Sequence, residues 1–353
     1  MNREDQDQMI LSADEMSTAL EAQPAAVQEL LPAEPELQRS NVVGVGVGVK
    51  WSNGVPTGEP AILALVTHKL PEDMLLESDL IPAEVAGIQT DVLAIGVPIA
   101  GGGQINSSAG AQTLAKRVRP AEGGYSVGHI GITAGTIATS VYDILPGGST
   151  NPPAHGIGVP PRYYILSNNH VLANSNAANL GDPVLQPGPF DGGVDPADRI
   201  GRLSRFVPIT FEPPFPRVFH RNRVDAAIAE GNFHDIDREI YWLGYVRGWR
   251  RRANVAVGSL VHKTGRTTNF TVGRITAVSA TVDVGFGGGR VARFIDQIVT
   301  TNISAGGDSG SLVTSLDDVA VGLLFAGSSI ATILNQIENV RSLLRVEVAE
   351  QIM

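Results

Sequence analysis

A serine between glycines and behind an aspartate is the part of this chain best suited to nucleophilic chemistry. It is Ser309, in the stretch Gly306-Gly307-Asp308-Ser309-Gly310-Ser311, near the end of an apolar region rich in strand patterns. A hydroxyl becomes nucleophilic only when a base takes its proton and nearby donors stabilise the oxyanion that forms. Ser309 therefore needs a base and an orienting acid from elsewhere in the chain.

The chain order restricts which histidine can serve. The last one, His262, precedes Ser309, so the serine–acid–histidine order of α/β-hydrolases is excluded, and their Gly-x-Ser-x-Gly elbow fails because residue 311 is serine. An acid–histidine–serine order through Asp143 and His155 is formally open but has no supporting motif. In the remaining order the candidate base is His170, which follows an apolar, β-rich run at a polar turn.

One carboxylate after this histidine is set in apolar surroundings. Asp225 lies in the segment Arg223-Val224-Asp225-Ala226-Ala227-Ile228-Ala229. A carboxylate that is poorly solvated needs a hydrogen-bonding partner. Asp225 is therefore the candidate for the acid that orients the base. The three residues are far apart in sequence, so only a fold that joins distant segments can bring them together.

Three motifs in this order resemble those of the chymotrypsin-like (trypsin-like) serine proteases. The matching stretches are Ser167-Asn168-Asn169-His170-Val171-Leu172, Val224-Asp225-Ala226-Ala227-Ile228 and Gly307-Asp308-Ser309-Gly310-Ser311-Leu312-Val313. The resemblance implies an all-β fold of two antiparallel β-barrels, with His170 and Asp225 in the first barrel and Ser309 in the second. Many short strand patterns, 40 glycines and 22 prolines agree with a β architecture.

The resemblance also implies the chemistry. Ser309 would attack a peptide carbonyl while His170 takes its proton, and Asp225 would hold the imidazole. The backbone N–H groups of Gly307 and Ser309 would form the oxyanion hole, where glycine permits the unusual backbone direction. We expect a serine endopeptidase that needs no cofactor and no metal, since no His-Glu-x-x-His spacing is present.

Two other functions stay open at this point. One is a catalytically weak or inactive protease-fold scaffold that binds peptides or partner proteins through the cleft and the N-terminal region. The other is a self-cleaving protein, whose chain would be cut between residues 100 and 120.

The same resemblance also implies features of substrate specificity and activation. The residue at the floor of the primary pocket is Ile303, and the pocket wall is Phe325-Ala326-Gly327. We expect an apolar or medium-sized substrate side chain there. The sequence lacks an Ile-Val-Gly-Gly terminus ahead of His170, so activation by a zymogen cut that frees an amine for Asp308 is not expected.

The composition of the chain restricts which partners and which cellular compartment we expect. Hydrophobic residues make up 43% of the 353 residues and charged residues 18%, as in an ordinary globular protein. The net charge of -10 argues against nucleic acid or an anionic membrane as a partner, and we read the basic run Arg247 to Arg252 as a solvated loop. The absence of cysteine and of a signal-like N-terminus predicts a cytoplasmic protein, and no run suits a membrane helix.

Four regions follow one another along the chain. We predict a helical segment at 1–40, a small α+β module at 41–100, a flexible linker at 101–120 and the protease-like domain at 121–353. The module alternates valine and glycine from Val43 to Val49, and with the later Lys69-Leu70-Pro71 it resembles the N-terminal module of plant narrow-leaf-type and related bacterial trypsin-like proteins. Its role as pro-segment, regulator or assembly domain stays open. Helical spacing from Ile330 to Gln351 predicts a long C-terminal helix, and a homo-oligomer through it or the module stays open.

Overall fold

The computed structural model describes residues 7–101, 113–132 and 135–353 of the chain. Most of the predicted linker at 101–120, and with it the region predicted for self-cleavage, lies outside these residues. The described part contains three α-helices, which are α1 Ser17–Leu30, α2 Asn169–Leu172 and α3 Ile337–Leu344. Single turns of 3₁₀ helix occur at Pro35–Leu37, Glu72–Met74, Glu77–Asp79, Thr113–Ala115, Pro189–Asp191, Arg217–Phe219 and Arg252–Asn254.

Strands account for most of the regular structure. They are β1 Val42–Ser52, β2 Val55–Val66, β3 Glu84–Val85, β4 Ile88–Ala94, β5 Ile99–Ala100, β6 Ala121–Gly123, β7 Ser126–His129, β8 Gly135–Thr136, β9 Ser140–Asp143, β10 Ser149–Thr150, β11 Pro153–Ala154, β12 Tyr164–Ser167, β13 Pro183–Leu185, β14 Arg199–Phe206, β15 Ala227–Gly231, β16 Ile236–Ile240, β17 Gly244–Tyr245, β18 Gly248–Trp249, β19 Leu260–Gly265, β20 Asn269–Gly285, β21 Val291–Thr301, β22 Leu312–Ser315, β23 Val319–Gly327, β24 Ala331–Gln336 and β25 Val346–Glu347.

Six strands of the C-terminal half form a closed antiparallel ring. Their order is β19-β22-β23-β24-β21-β20, and β19 also pairs with β20, which closes the ring. Strand β20 can serve both β19 and β21 because it is 17 residues long and is bent by three register shifts against β21. The ring carries Ser309 on the connection between β21 and β22.

The other half is an eight-stranded sheet in the order β25-β9-β12-β15-β14-β13-β7-β8. Among the described residues no pairing joins the two ends of this sheet. The prediction of a mostly β protein is therefore confirmed, whereas the prediction of two closed barrels is not, because only the C-terminal ring is closed by strand pairing. His170 follows β12 of this sheet, and Asp225 precedes β15.

The alternating valines and glycines of β1 join the N-terminal region to the ring. Strand β1 pairs with β2 on one side and with β20 on the other. A Cβ on Gly44 would lie 2.7 Å from the carbonyl oxygen of Thr281, and one on Gly48 would lie 2.6 Å from that of Thr276, so only glycine permits this approach. The predicted boundary near residue 100 stays a prediction, but the sheet itself runs continuously across it.

The C-terminal helix is much shorter than predicted. Residues 331–336 form β24, which pairs with β21 and β23 at the centre of the sheet, and only Ile337–Leu344 is helical. The prediction was wrong because a fully buried strand has apolar residues on both faces, and such a run imitates helical spacing. Arg345, with φ of 57°, ends the helix in the left-handed region. The apolar side of α3 is buried within the chain.

The prediction of a solvated loop for the basic run at 247–252 holds in part: Arg247, Arg251 and Arg252 are exposed, whereas Gly248–Trp249 forms the buried strand β18. Trp249 is fully buried in β18, which pairs with β23. The three arginines that follow lie near carboxylates: Arg250 Nη2 is 3.6 Å from Asp317, Arg251 Nε 3.8 Å from Glu338 and Arg252 Nη1 3.2 Å from Asp296.

No helix in the described ranges is long and apolar enough to span a membrane. In those same ranges no group of three or more His, Asp or Glu side chains is arranged to hold a metal ion.

Candidate active site

The structure brings His170 and Asp225 into direct contact. His170 lies on the short helix α2, directly after the buried strand β12, and its Nδ1 lies 2.6 Å from Asp225 Oδ2. The backbone N–H of His170 donates to the other carboxylate oxygen at 3.0 Å. Because a carboxylate only accepts, Nδ1 must carry the proton, which leaves Nε2 with its lone pair. That tautomer is the one a general base requires.

Asp225 is held by two asparagines that sequence reasoning missed. Its side chain is completely buried, and its backbone N–H donates to Asn335 Oδ1 at 3.0 Å. Asn168 Nδ2 donates to the carbonyl oxygen of Asp225 at 2.7 Å. Asn335 belongs to β24, so the acid is fixed by the C-terminal ring as well as by its own sheet. Polar residues at 335 and 336 inside an apolar run were the signal that could have identified this position.

Ser309 lies where the two sheets meet. The backbone N–H of Thr136 donates to the Ser309 carbonyl oxygen at 2.7 Å, and its hydroxyl donates to the Gly307 carbonyl oxygen at 2.8 Å. Ser167, three residues before His170, donates to the carbonyl oxygen of Thr136 at 2.7 Å. Thr136 therefore links the strand that precedes the candidate base to the loop of the candidate nucleophile.

The third contact of the predicted triad is not made. Ser309 Oγ donates weakly to the carbonyl oxygen of Phe325, at 3.4 Å. His170 Nε2 is buried and has no hydrogen-bond partner among the described residues. The histidine and Gly307 line one cleft of about 390 Å³. The base and the nucleophile loop thus share a cleft, but no hydrogen bond joins the serine hydroxyl to the imidazole among the described residues.

The loop before Ser309 contains a glycine with a positive φ and two backbone N–H groups that have no acceptor among the described residues. Gly307 has φ of 99°, which side chains other than glycine rarely adopt, and a Cβ there would lie 2.4 Å from Thr267 Oγ1. Within the described ranges, the backbone N–H groups of Gly307 and Ser309 donate to no acceptor. Two unpaired N–H groups on either side of Asp308 are therefore available to an oxyanion.

A buried lysine, also missed from the sequence, neutralises the aspartate of this loop. Lys263 Nζ lies 3.1 Å from Asp308 Oδ2, and neither side chain is exposed. Asp308 also accepts from the N–H groups of Thr267, Thr268 and Ala305 at 2.8 to 3.1 Å. Burial lowers the pKa of Lys263, while Asp308 opposes that shift. A lysine in an apolar strand was the available signal, since such a side chain needs a buried partner.

The predicted pocket residues lie beside Ser309 but expose almost nothing. Ile303 and Phe325 are 1% and 0% exposed and belong to the cores of the ring, where the Phe325 ring packs at a tilt of 49° against Phe294, 4.7 Å between centroids. Ala326 and Gly327 meet a neighbouring strand through their backbone. The role of these four residues in substrate specificity stays a prediction.

The alternative pair of Asp143 and His155 does not reach the serine. His155 Nδ1 lies 3.3 Å from Glu347, and Asp143 accepts from the Tyr164 hydroxyl at 2.9 Å. The acid–histidine–serine order is thereby excluded for Ser309.

Comparison with known proteins gives a likeness of structure only. No family model matches the chain, and no curated protein matches it. Solved structures similar to it include Thermobifida fusca Protease A (18% identity, 65% of this chain and 98% of that one, TM-score 0.43). Another is a Nocardiopsis protease, with 18% identity, coverage of 65% of this chain and 98% of that one, and a TM-score of 0.42. A third is a glutamic acid specific serine protease, with 21% identity, coverage of 64% of this chain and 99% of that one, and a TM-score of 0.42. Because these TM-scores lie below 0.5, we take the chemistry from the side chains of this chain alone.

Proposed function

We propose that this chain is a serine endopeptidase in which Ser309 is the nucleophile, His170 the general base and Asp225 the orienting acid. The observation that carries the proposal is the 2.6 Å contact between His170 Nδ1 and a fully buried Asp225, beside a cleft shared with Gly307. A buried carboxylate that fixes one imidazole tautomer leaves Nε2 as a base directed at the cleft.

The reaction requires the Ser309 hydroxyl to leave the Phe325 carbonyl oxygen and to donate to His170 Nε2. We propose that a change of the Ser309 side-chain rotamer, which breaks the 3.4 Å contact with the Phe325 carbonyl oxygen, accompanies this step. Ser309 Oγ then attacks a peptide carbonyl carbon as its proton passes to Nε2, and the carbonyl oxygen receives hydrogen bonds from the N–H groups of Gly307 and Ser309. His170 returns the proton to the leaving amine, and water attacks the acyl-enzyme in the second half of the reaction.

A fluorophosphonate probe tests this proposal directly, because it phosphonylates only a serine that a base activates. We expect an adduct on Ser309 in the wild type and none in Ser309→Ala. Ser329→Ala is the control, since Ser329 is an exposed serine of the same ring and its loss should leave labelling unchanged. Failure of the wild type and of the opened variants described below to form the adduct would show that the chain is not a serine hydrolase.

One observation favours the scaffold alternative. The serine hydroxyl donates to a backbone carbonyl oxygen rather than to the base, and a serine without a bond to a base is not activated. If the scaffold is correct, a peptide library will yield bound peptides but no cleaved ones, and Ser309→Ala will bind the same peptides as the wild type.

A further inference from the structure

The short strand β5 is not part of the ring but lies against it beside the active site. Ile99 pairs with Gly327 of β23 and, on its other side, with Gly285 of β20. The N–H of Gly285 donates to the carbonyl oxygen of Pro98 at 3.0 Å. We call residues 98–101 the cleft segment. It is held by its backbone, as an extended peptide is when it adds to the edge of a sheet.

The end of the cleft segment reaches the catalytic groups. The Gly101 N–H donates at 3.2 Å to the Phe325 carbonyl oxygen, the same atom that accepts from Ser309 Oγ. A Cβ on Gly101 would lie 3.7 Å from His170 Nε2. The cleft segment thus covers the nitrogen that has to act as base, and this accounts for a buried nitrogen with no partner.

The conformation of Gly101 differs from that of an extended substrate. Its φ is 69°, in the left-handed region, so the chain turns at the point where the reacting carbonyl group would be presented. Glycine adopts this conformation at little cost. The cleft segment therefore occupies the place of a peptide on β23 without extending past Ser309 as an unstrained substrate strand would.

We propose that the cleft segment is an internal pseudosubstrate, which blocks the active site until a peptide substrate displaces it. This inference rests on the proposed endopeptidase function and adds regulation by the N-terminal region. Peptides that resemble Pro98-Ile99-Ala100-Gly101, with small residues at the last two positions, are the expected competitors.

The block is weak enough to be displaced. Few hydrogen bonds hold the cleft segment, and Ile99 is 45% exposed, so little apolar surface is buried with it. Its advantage is that it is tethered, which gives it an effective concentration on the order of millimolar. A free peptide should therefore compete at about that concentration.

The test compares the rate of fluorophosphonate labelling of Ser309 in the full chain with and without the cleft segment in place. Gly101→Pro removes the N–H that donates to Phe325 and cannot adopt a φ of 69°. Ile99→Pro is a second variant, which removes an N–H inside β5. Gly147→Pro is the matched control, because Gly147 also has a positive φ, of 82°, and lies in an exposed turn away from the cleft. Thermal unfolding of each variant shows that it is folded.

We expect both cleft-segment variants to be labelled about tenfold faster than the wild type, from the loss of one or two hydrogen bonds, and Gly147→Pro to be labelled at the wild-type rate. Millimolar acetyl-Pro-Ile-Ala-Gly-amide should slow the two variants again. Equal rates in all four proteins would overturn the pseudosubstrate while leaving the endopeptidase intact. Absence of labelling in all of them would overturn both proposals. A wild-type fragment that ends at Gly101 and is missing in Ser309→Ala would also overturn the block, because the segment would then be a true substrate.

Discussion

Lys263 Nζ lies 3.1 Å from Oδ2 of Asp308, the residue directly before the candidate nucleophile, and neither side chain of this ion pair is exposed. The lysine comes from β19 and the aspartate from the loop between β21 and β22, so the pair fixes the loop to the ring. It gives Asp308 a buried partner from the ring, although burial lowers the pKa of this lysine.

Lys263→Met should destabilise the protein and slow the chemistry. The substitution leaves a buried carboxylate without its counter-charge, which typically costs about 3 to 5 kcal/mol. The midpoint of urea unfolding should fall accordingly, and fluorophosphonate labelling of Ser309 should be slower. Lys69→Met is the control, because Lys69 pairs with Asp91 at 3.9 Å on the surface, where an ion pair contributes at most about 1 kcal/mol. Equal effects of the two substitutions would contradict this account.

Gly307→Ala should lower turnover far more than stability. The new Cβ would lie 2.4 Å from Thr267 Oγ1, and the alanine backbone would have to adopt a φ of 99°. The loop must therefore move, and its N–H groups lose their direction. Loss of one oxyanion donor typically costs about 100-fold or more in kcat. Steady-state kinetics with a peptide substrate identified from a library would measure this fall in kcat.

Gly147→Ala separates strain from the loss of the oxyanion hole. Gly147 also has a positive φ, but a Cβ there would meet no atom within 4 Å. The Gly147→Ala substitution should lower the free energy of unfolding by about 1 to 2 kcal/mol, the cost of a left-handed backbone for alanine, and leave kcat unchanged. A similar fall in kcat in both variants would mean that strain alone explains the loss.

The sequence allowed prediction of those parts of the site that rest on residue type and order. His170 and Asp225 were identified from a polar histidine turn and from a carboxylate in an apolar strand, and the structure joins them. The partners Lys263, Asn335 and Thr136 were not identified, because each acts across 45 residues or more and only strand pairing brings it close. The long C-terminal helix was predicted wrongly for a related reason: whether residues 331–336 form a helix or a strand is decided by two neighbouring strands that local periodicity does not reveal.

His262 should make the protein less stable in mild acid. It is 7% exposed, with Nε2 3.6 Å from Asp318 Oδ1, and burial lowers its pKa, although Asp318, a backbone bond at Ser315 and Asp317 act in the opposite direction. A lowered pKa in the folded state means that the unfolded chain binds more protons as the pH falls below about 6.5. The free energy of unfolding contributed by His262 should therefore decrease from that pH downward until the folded-state pKa is passed.

The comparison that tests this is urea unfolding of the wild type and His262→Gln at several values of pH between 7 and 5. Other groups titrate in the same range in both proteins, so the quantity of interest is the difference between them. We expect the wild type to lose stability more steeply than the variant as the pH falls. Parallel curves would show that the protonation of His262 does not oppose folding.

Gly48→Ala should weaken the junction between the N-terminal strands and the ring. A Cβ at this position would lie 2.5 Å from Leu63 Cδ1 and 2.6 Å from the carbonyl oxygen of Thr276, so β1 would be pushed away from β20. Overpacking of this kind costs about 1 to 3 kcal/mol. The control is Gly54→Ala in the β1–β2 turn, where a Cβ meets nothing within 4 Å and only the positive φ of 79° is strained. If β1 is part of one cooperative unit with the ring, Gly48→Ala will lower a single unfolding midpoint that fluorescence and circular dichroism report alike. If the N-terminal strands unfold separately, the variant will show an early transition while the ring keeps the wild-type midpoint.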